Sequence, residues 1–71
     1  MMIDIIRVSS SNVESIGYDE DSETLQVTFN NGMTYQYFDV PEQLFDGLCN
    51  AGSVGSYLHA HIKGTYRYSK V

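Results

Sequence analysis

Tyrosines form two Tyr-x-Tyr pairs in this sequence, at residues 35–37 and 66–68. Aromatic rings exposed on a sheet can stack on unpaired nucleobases of any type. Three cations, Lys63, Arg67 and Lys70, surround the second pair, and such side chains bind phosphate. The second pair is therefore the better candidate for a nucleic-acid contact, and a solvated basic tail is the alternative.

A Ser-Val-Gly-Ser-Tyr stretch provides a second candidate contact through Ser53, Gly55, Ser56 and Tyr57. Hydroxyls and backbone N–H groups at the start of a helix favour anions, so a phosphate or a terminal carboxylate could bind there. An ordinary helix cap, with a glycine for close packing, explains the same residues.

Candidates for catalysis or metal binding are few. His59 and His61 lie two residues apart, which separates them by about 200° on a helix and prevents them from sharing a metal. Cys49 lies on the apolar side of a predicted helix, where we expect a buried, inert thiol. The acids of residues 19–23 lack the pattern of a calcium loop, and we expect them to be solvated. We expect no metal, no cofactor and no enzymatic activity, with a small hydrolase or ligand-binding enzyme as the third hypothesis.

The elements that position these residues begin with a β-hairpin, since residues 25–29 and 33–37 alternate apolar and polar side chains around Asn31 and Gly32. A two-residue turn would mix both types on each face and leave Tyr35 and Tyr37 on the polar face. A three-residue loop, with Gly32 left-handed, makes one face apolar. It pairs Phe29 with Met33, Val27 with Tyr35 and Leu25 with Tyr37. We choose this register, which directs both tyrosine rings toward the core.

Two short consecutive helices should follow. Pro41 and the spacing of Val40, Leu44 and Leu48 predict a helix over residues 41–50. Ser53 can cap a second helix, and Gly64 can be its C-terminal left-handed residue. One face of this helix carries Val54, Leu58 and Ile62.

Strands are predicted at residues 13–18 and 66–68, and residues 3–8 are predicted as a strand or an extended arm. The fold class is therefore α+β: a three- or four-stranded antiparallel sheet with the two helices packed on one face and a final C-terminal strand. The predicted core consists of Leu25, Val27, Phe29, Tyr35, Tyr37, Leu44, Leu48, Leu58 and Ile62.

Length and charge limit the functions further. With 71 residues there is room for one core, so residues 1–71 should form a single domain. The net charge is −5, and all nine acids lie between Asp4 and Asp46. Such a chain is repelled by phosphate at long range, so any nucleic-acid contact must be local. No signal peptide or membrane span is recognisable, which predicts a cytoplasmic protein without a membrane partner.

Several motifs occur in an order that resembles the KTSC domain family over nearly the whole chain. They are Ser10-Ser11-Asn12-Val13, Gly17-Tyr18-Asp19, Asn31-Gly32, Tyr35-Gln36-Tyr37, Val40-Pro41, Ala51-Gly52-Ser53-Val54-Gly55-Ser56-Tyr57 and Ile62-Lys63-Gly64-Thr65-Tyr66. Members of that family occur at the C-terminus of some lysyl-tRNA synthetases and as stand-alone bacterial and phage proteins. The resemblance implies RNA association, although Val54 stands where relatives often carry a lysine.

We therefore predict a small non-catalytic binding module for single-stranded RNA or DNA. Its contact residues would be Ser53, Gly55, Ser56, Tyr57, Lys63, Tyr66 and Arg67. The alternative is a protein–protein interaction module or a homo-oligomer, which fits the acidic net charge better.

Overall fold

The computed structural model describes residues 4–8 and 11–71 and contains five strands and two helices there. In chain order they are β1 (Asp4–Arg7), β2 (Val13–Asp19), β3 (Thr24–Phe29), β4 (Thr34–Tyr37), α1 (Glu42–Cys49), α2 (Val54–His61) and β5 (Tyr68–Lys70). The strands form one antiparallel sheet in the order β1-β2-β3-β4-β5. The predicted α+β class with two consecutive helices and a final strand is confirmed. The sheet has five strands rather than three or four, because residues 4–7 pair with β2.

The hairpin of β3 and β4 has the predicted register. Val27 lies opposite Tyr35 and Leu25 lies opposite Tyr37. The N–H of Phe29 donates to the carbonyl of Met33 at 2.8 Å, and Gly32 has φ +88°. A residue with a Cβ adopts that φ at a cost, which explains the glycine at this position.

Both helices begin and end close to their predicted boundaries. Pro41 directly precedes α1, and Ser53 is the N-cap of α2. Gly64, just beyond α2, has φ +81° as expected for a C-terminal left-handed residue. No helix in the part of the chain that the structure describes is long and apolar enough to cross a membrane.

The core lies between the helices and one face of the sheet. Its buried apolar residues are Val13, Ile16, Leu25, Val27, Tyr37, Val40, Leu48, Val54, Leu58 and Ile62. Three residues predicted for the core, Phe29, Tyr35 and Leu44, are only half-buried and pack at its margin. Val13 joins the core because a register shift between Val13 and Ser15 interrupts the alternation of β2.

The acidic segment 19–23 is only partly solvated, which contradicts the prediction for its first acid, Asp19, the last residue of β2. Asp19 is 7% exposed and accepts a hydrogen bond of 2.6 Å from the hydroxyl of Ser22. Glu23 has φ +54°, and its carbonyl accepts from the N–H of Val40 at 2.9 Å. The hydroxyl of Tyr18 donates to the carbonyl of Val40. These bonds join the loop to the segment that leads into α1.

The last strand begins two residues later than predicted. The N–H groups of Thr65 and Tyr66 still donate to the carbonyl of Ile62, at 3.1 and 3.3 Å, so Tyr66 remains tied to the end of α2. Tyr68 is the first strand residue and pairs with Tyr37. The alternating pattern of residues 66–68 therefore marks an approach to the strand, and the strand itself follows.

Replacing Leu25 with alanine tests the core. The side chain is 0% exposed, so Leu25→Ala should lower the free energy of unfolding by about 2–5 kcal/mol through lost burial and a cavity. Urea denaturation measures the change. Met33→Ala is the control, because Met33 is 37% exposed and its truncation should cost about 0.5 kcal/mol or less. Equal losses in both variants would contradict the described core.

Candidate functional site: an aromatic–basic surface

The seven predicted contact residues occupy three different places. Gly55, Ser56 and Lys63 line one hollow of about 320 Å³, together with Phe29 and His59. Tyr66 and Arg67 line a shallower, neighbouring part of the surface with Tyr68. Ser53 and Tyr57 are engaged in contacts that stabilise the helices.

Ser53 and Ser56 form an ordinary helix cap. The N–H of Ser56 donates to Oγ of Ser53 at 3.3 Å, and the hydroxyl of Ser53 donates to Oγ of Ser56 at 3.1 Å. The capping oxygen satisfies an N–H that would otherwise have no partner within the helix. Stabilisation of α2 is thus sufficient to explain Ser53.

Tyr57 packs against the other helix. A Cβ added at Gly47 of α1 would lie 2.1 Å from Oη of Tyr57, so the glycine makes room for the phenol. The ring also contacts His61, with a centroid separation of 4.4 Å. The ring of Tyr57 is therefore held between α1 and its own helix.

A row of aromatic rings lies where the helices leave the sheet uncovered. Phe29 contacts Tyr35 edge to face at a centroid distance of 5.7 Å, and Tyr35 contacts Tyr68 at 5.7 Å. Nζ of Lys63 lies 5.1 Å from the centroid of Phe29, a cation–π geometry. Lys70 pairs with Tyr35 across β4 and β5 and so belongs to the same face. We call these five residues the aromatic–basic surface.

Three adjacent hollows open on this surface, and Phe29 and Lys63 line all of them. Their volumes are about 440, 410 and 320 Å³. Asn30 and Asn31 border the first hollow, and Tyr68 borders the second. Among the described residues, no carboxylate lines any of the three. The three hollows therefore present a cation, aromatic faces and neutral polar groups to a ligand.

The sequence indicated only part of this surface. It predicted Lys63 as a contact but assigned Phe29 and Tyr35 to the core, because their alternation places them on the apolar face. Both residues do lie on that face, yet they are half-buried, whereas Tyr37 is 3% exposed. The signal that the sequence offered was that one face carries more aromatic rings than two short helices can cover. Tyr68, which lies on the same face, is 59% exposed.

Arg67 forms an ion pair at the margin of this surface. Its guanidinium donates to Oδ2 of Asp39 at 3.1 Å, and both side chains are largely exposed. An exposed pair of this kind contributes about 1 kcal/mol or less, so a phosphate could compete for the arginine. Tyr66 is half-buried and packs against the core.

Metal-ligating and nucleophilic groups are dispersed. Within residues 4–8 and 11–71, no three His, Cys, Asp or Glu side chains are grouped so that they could hold a metal ion.

Cys49 is exposed, so the prediction of a buried thiol is wrong. Cys49 lies at the last position of α1, where the packing ends. Partial burial of the thiol and the nearby Asp46 nevertheless raise the pKa of Cys49, which reduces its thiolate fraction at neutral pH.

An antiparallel five-stranded sheet with two helices inserted before its last strand defines a small α+β protein, and comparison with known proteins identifies its family. A KTSC domain model matches residues 9–71. The chain superimposes on the crystal structure of a KTSC domain protein from Yersinia pestis with a TM-score of 0.93, 38% identity and 99% coverage of both chains. This chain therefore belongs to the KTSC domain family.

Its relatives include both small and large proteins. A protein of Tsukamurella paurometabola is 38% identical over 84% of this chain and 90% of its own length. A lysine–tRNA ligase of Trichormus variabilis is 33% identical over 94% of this chain, which spans 12% of the ligase. An uncharacterised protein of Stutzerimonas stutzeri is 33% identical over 93% of this chain and 94% of its own length. The family thus includes proteins little longer than the domain and a tRNA ligase of which it is a small part.

Removing the hydroxyl of Ser53 tests the cap. Ser53→Ala should lower the free energy of unfolding by about 1 kcal/mol, because the N–H of Ser56 loses its acceptor. Ser53→Asp should retain most of the stability, since aspartate also caps helices well. Thermal denaturation followed by circular dichroism compares the two. Full stability of Ser53→Ala would show that the cap is unimportant.

The alkylation rate of Cys49 should report its raised pKa. With iodoacetamide, the rate should rise at higher pH than for a cysteine in a short peptide with blocked termini, because less thiolate is present at a given pH. Burial is the larger cause and Asp46 the second, so Asp46→Asn should move the profile only partly back toward lower pH. A profile that rises at lower pH than that of the blocked peptide would contradict the assignment.

Proposed function

We propose that this protein is a non-catalytic binding module that holds single-stranded nucleic acid on the aromatic–basic surface. The module would comprise residues 1–71 as one domain and act in the cytoplasm. The observation that carries the proposal is the continuous row of Phe29, Tyr35 and Tyr68, with Lys63 above the first ring. Proteins that bind single strands combine cations that contact the backbone with rings on which bases stack.

The placement of the rings supports a single strand over a duplex. Half-buried aromatic rings offer faces to unpaired bases, whereas the bases of a duplex are already stacked on each other. Lys63 and Lys70 flank the row, where phosphates of a bound strand would lie. Gly55 and Ser56 line the hollow next to Lys63 and would contact the same strand.

The distribution of charge supports a local contact. Although the net charge is −5, no described carboxylate lines the three hollows of this surface. Arg67 and Tyr66 would contribute at the margin if phosphate displaced Asp39. Long-range repulsion by the acidic remainder should keep the affinity low and make the interaction sensitive to salt. The similarity to a lysine–tRNA ligase favours RNA over DNA.

Fluorescence anisotropy of labelled eight-nucleotide poly(U) and poly(dT) tests the proposal at low and at physiological salt. We expect saturable binding that salt weakens. Tyr68→Val should weaken binding by about 1–3 kcal/mol, or roughly 5- to 150-fold, through lost stacking. Valine suits a strand, and Tyr68 is 59% exposed, so the fold should persist. Lys63→Gln should lower the salt slope by about 0.7, the value for one phosphate contact with a single strand.

The matched control for Lys63→Gln is Arg7→Gln, which removes the same charge from β1 at the other edge of the sheet. It should leave the affinity nearly unchanged. Equal weakening by both variants would indicate a general charge effect and contradict the surface. Failure of either strand to bind at low salt would contradict the proposal itself.

A further inference from the structure

Another hollow, separate from the three on the aromatic–basic surface, lies on the β1 side of the sheet. It has a volume of about 420 Å³, and Ile6, Tyr18 and Phe45 supply its apolar part. The rings of Tyr18 and Phe45 stack at a centroid distance of 5.1 Å with 15° between their planes. Ile6 remains 44% exposed. An apolar surface is thus left open between β1, β2 and α1.

Carboxylates surround this apolar surface. They are Asp19, Glu20, Asp21, Glu42 and Asp46, and no described basic residue lines the hollow. Asp19 is engaged with Ser22, whereas the other four are exposed. The pKa of Tyr18 is raised, first by burial and then by the charges of Glu23, Glu42, Glu20 and Asp19. The negative potential of these groups therefore reaches the apolar floor. We call this site the acidic hollow.

The edge of β1 borders the acidic hollow and is open for pairing. Among the described strands, β1 is the first in the sheet order and pairs only with β2. The N–H of Val8 donates to the carbonyl of Glu14 at 3.1 Å. Because bonded positions alternate in an antiparallel ladder, the backbone groups of Ile5 and Arg7 point away from β2. Ile5 is also 50% exposed. Exposed edges with apolar side chains invite a further strand.

We propose that the β1 edge and the acidic hollow together bind an extended, basic segment of a partner protein. The segment adds a strand to β1 through the backbone groups of Ile5 and Arg7. Its side chains that face the helices alternate with those that face away, so lysines or arginines on that side reach Glu42 and Asp46. The aliphatic stems of these basic side chains cover Ile6, and apolar side chains on the other face pack beside the exposed Ile5. This surface lies beyond the one proposed for nucleic acid and does not depend on it.

The negative charge of the acidic hollow favours a basic segment over nucleic acid and over a second copy of the chain. Nucleic acid carries the same sign as the acidic hollow and is repelled. A second copy of the chain is a poor fit, because two of its clustered cations are already engaged, Arg67 with Asp39 and Lys63 over Phe29. A basic strand satisfies both the open backbone groups and the carboxylates.

An NMR titration of the labelled protein with an eight-residue peptide of alternating lysine and valine tests this inference. We expect saturable shifts of the amides of Ile5, Arg7 and Phe45. The same peptide with glutamate in place of lysine should produce none. Glu42→Lys should weaken binding about fivefold or more, since an attraction becomes a repulsion of similar size.

Glu14→Lys is the matched control. It makes the same substitution at an exposed β2 residue outside the acidic hollow and should change the affinity by about twofold or less, the scale of one exposed, screened charge. Circular dichroism verifies that both variants fold. Absence of saturable shifts, equal binding of the glutamate peptide, or equal weakening by both variants would overturn the proposal. So would self-association in sedimentation equilibrium that Ile6→Thr abolishes, because the occupant would then be a second copy.

Discussion

The three-residue loop between β3 and β4 determines which side chains of the central strands face the helices. With Gly32 at φ +88°, Leu25, Val27 and Tyr37 are directed into the core. A shift of one residue would exchange the two faces of a strand. Thr34 and Gln36 would then share the helix-facing side with Leu25 and Val27. Thr34 and Gln36 now form cross-strand pairs on the other face, Gln26 with Gln36 and Thr28 with Thr34.

The two helices leave part of the face that this register makes apolar uncovered. Each helix has eight residues, and side chains on the first and last strands stay open, with Ile6 44% and Tyr68 59% exposed. Apolar and aromatic side chains therefore remain open at both edges. Phe29, Tyr35 and Tyr68 form a row from the end of the central strand β3 to the edge strand β5, and Ile6 with the stacked Tyr18 and Phe45 lies at the β1 edge.

The fold converts the charge asymmetry of the sequence into an asymmetry of surfaces. Residues 19–21 bring three acids to the side of the sheet near β1, and α1 adds Glu42 and Asp46 there, whereas Lys63 and Lys70 belong to the aromatic–basic surface. Each open aromatic surface consequently has charge of one sign beside it. The two proposed contacts do not exclude each other, because the two surfaces share no residue.

The sequence by itself determined the class of fold, the hairpin register and both helices, because each depends on local periodicity, on caps or on one glycine. It also indicated Lys63 as a contact. Only the tertiary structure decided which apolar residues are covered, since burial depends on how far α1 and α2 extend over the sheet. Periodicity assigns Phe29 and Tyr37 to the same face, but packing leaves Phe29 at the surface and buries Tyr37. Likewise, the roles of Tyr57 beside Gly47 and of Asp19 beside Ser22 depend on three-dimensional contacts that residue types do not encode.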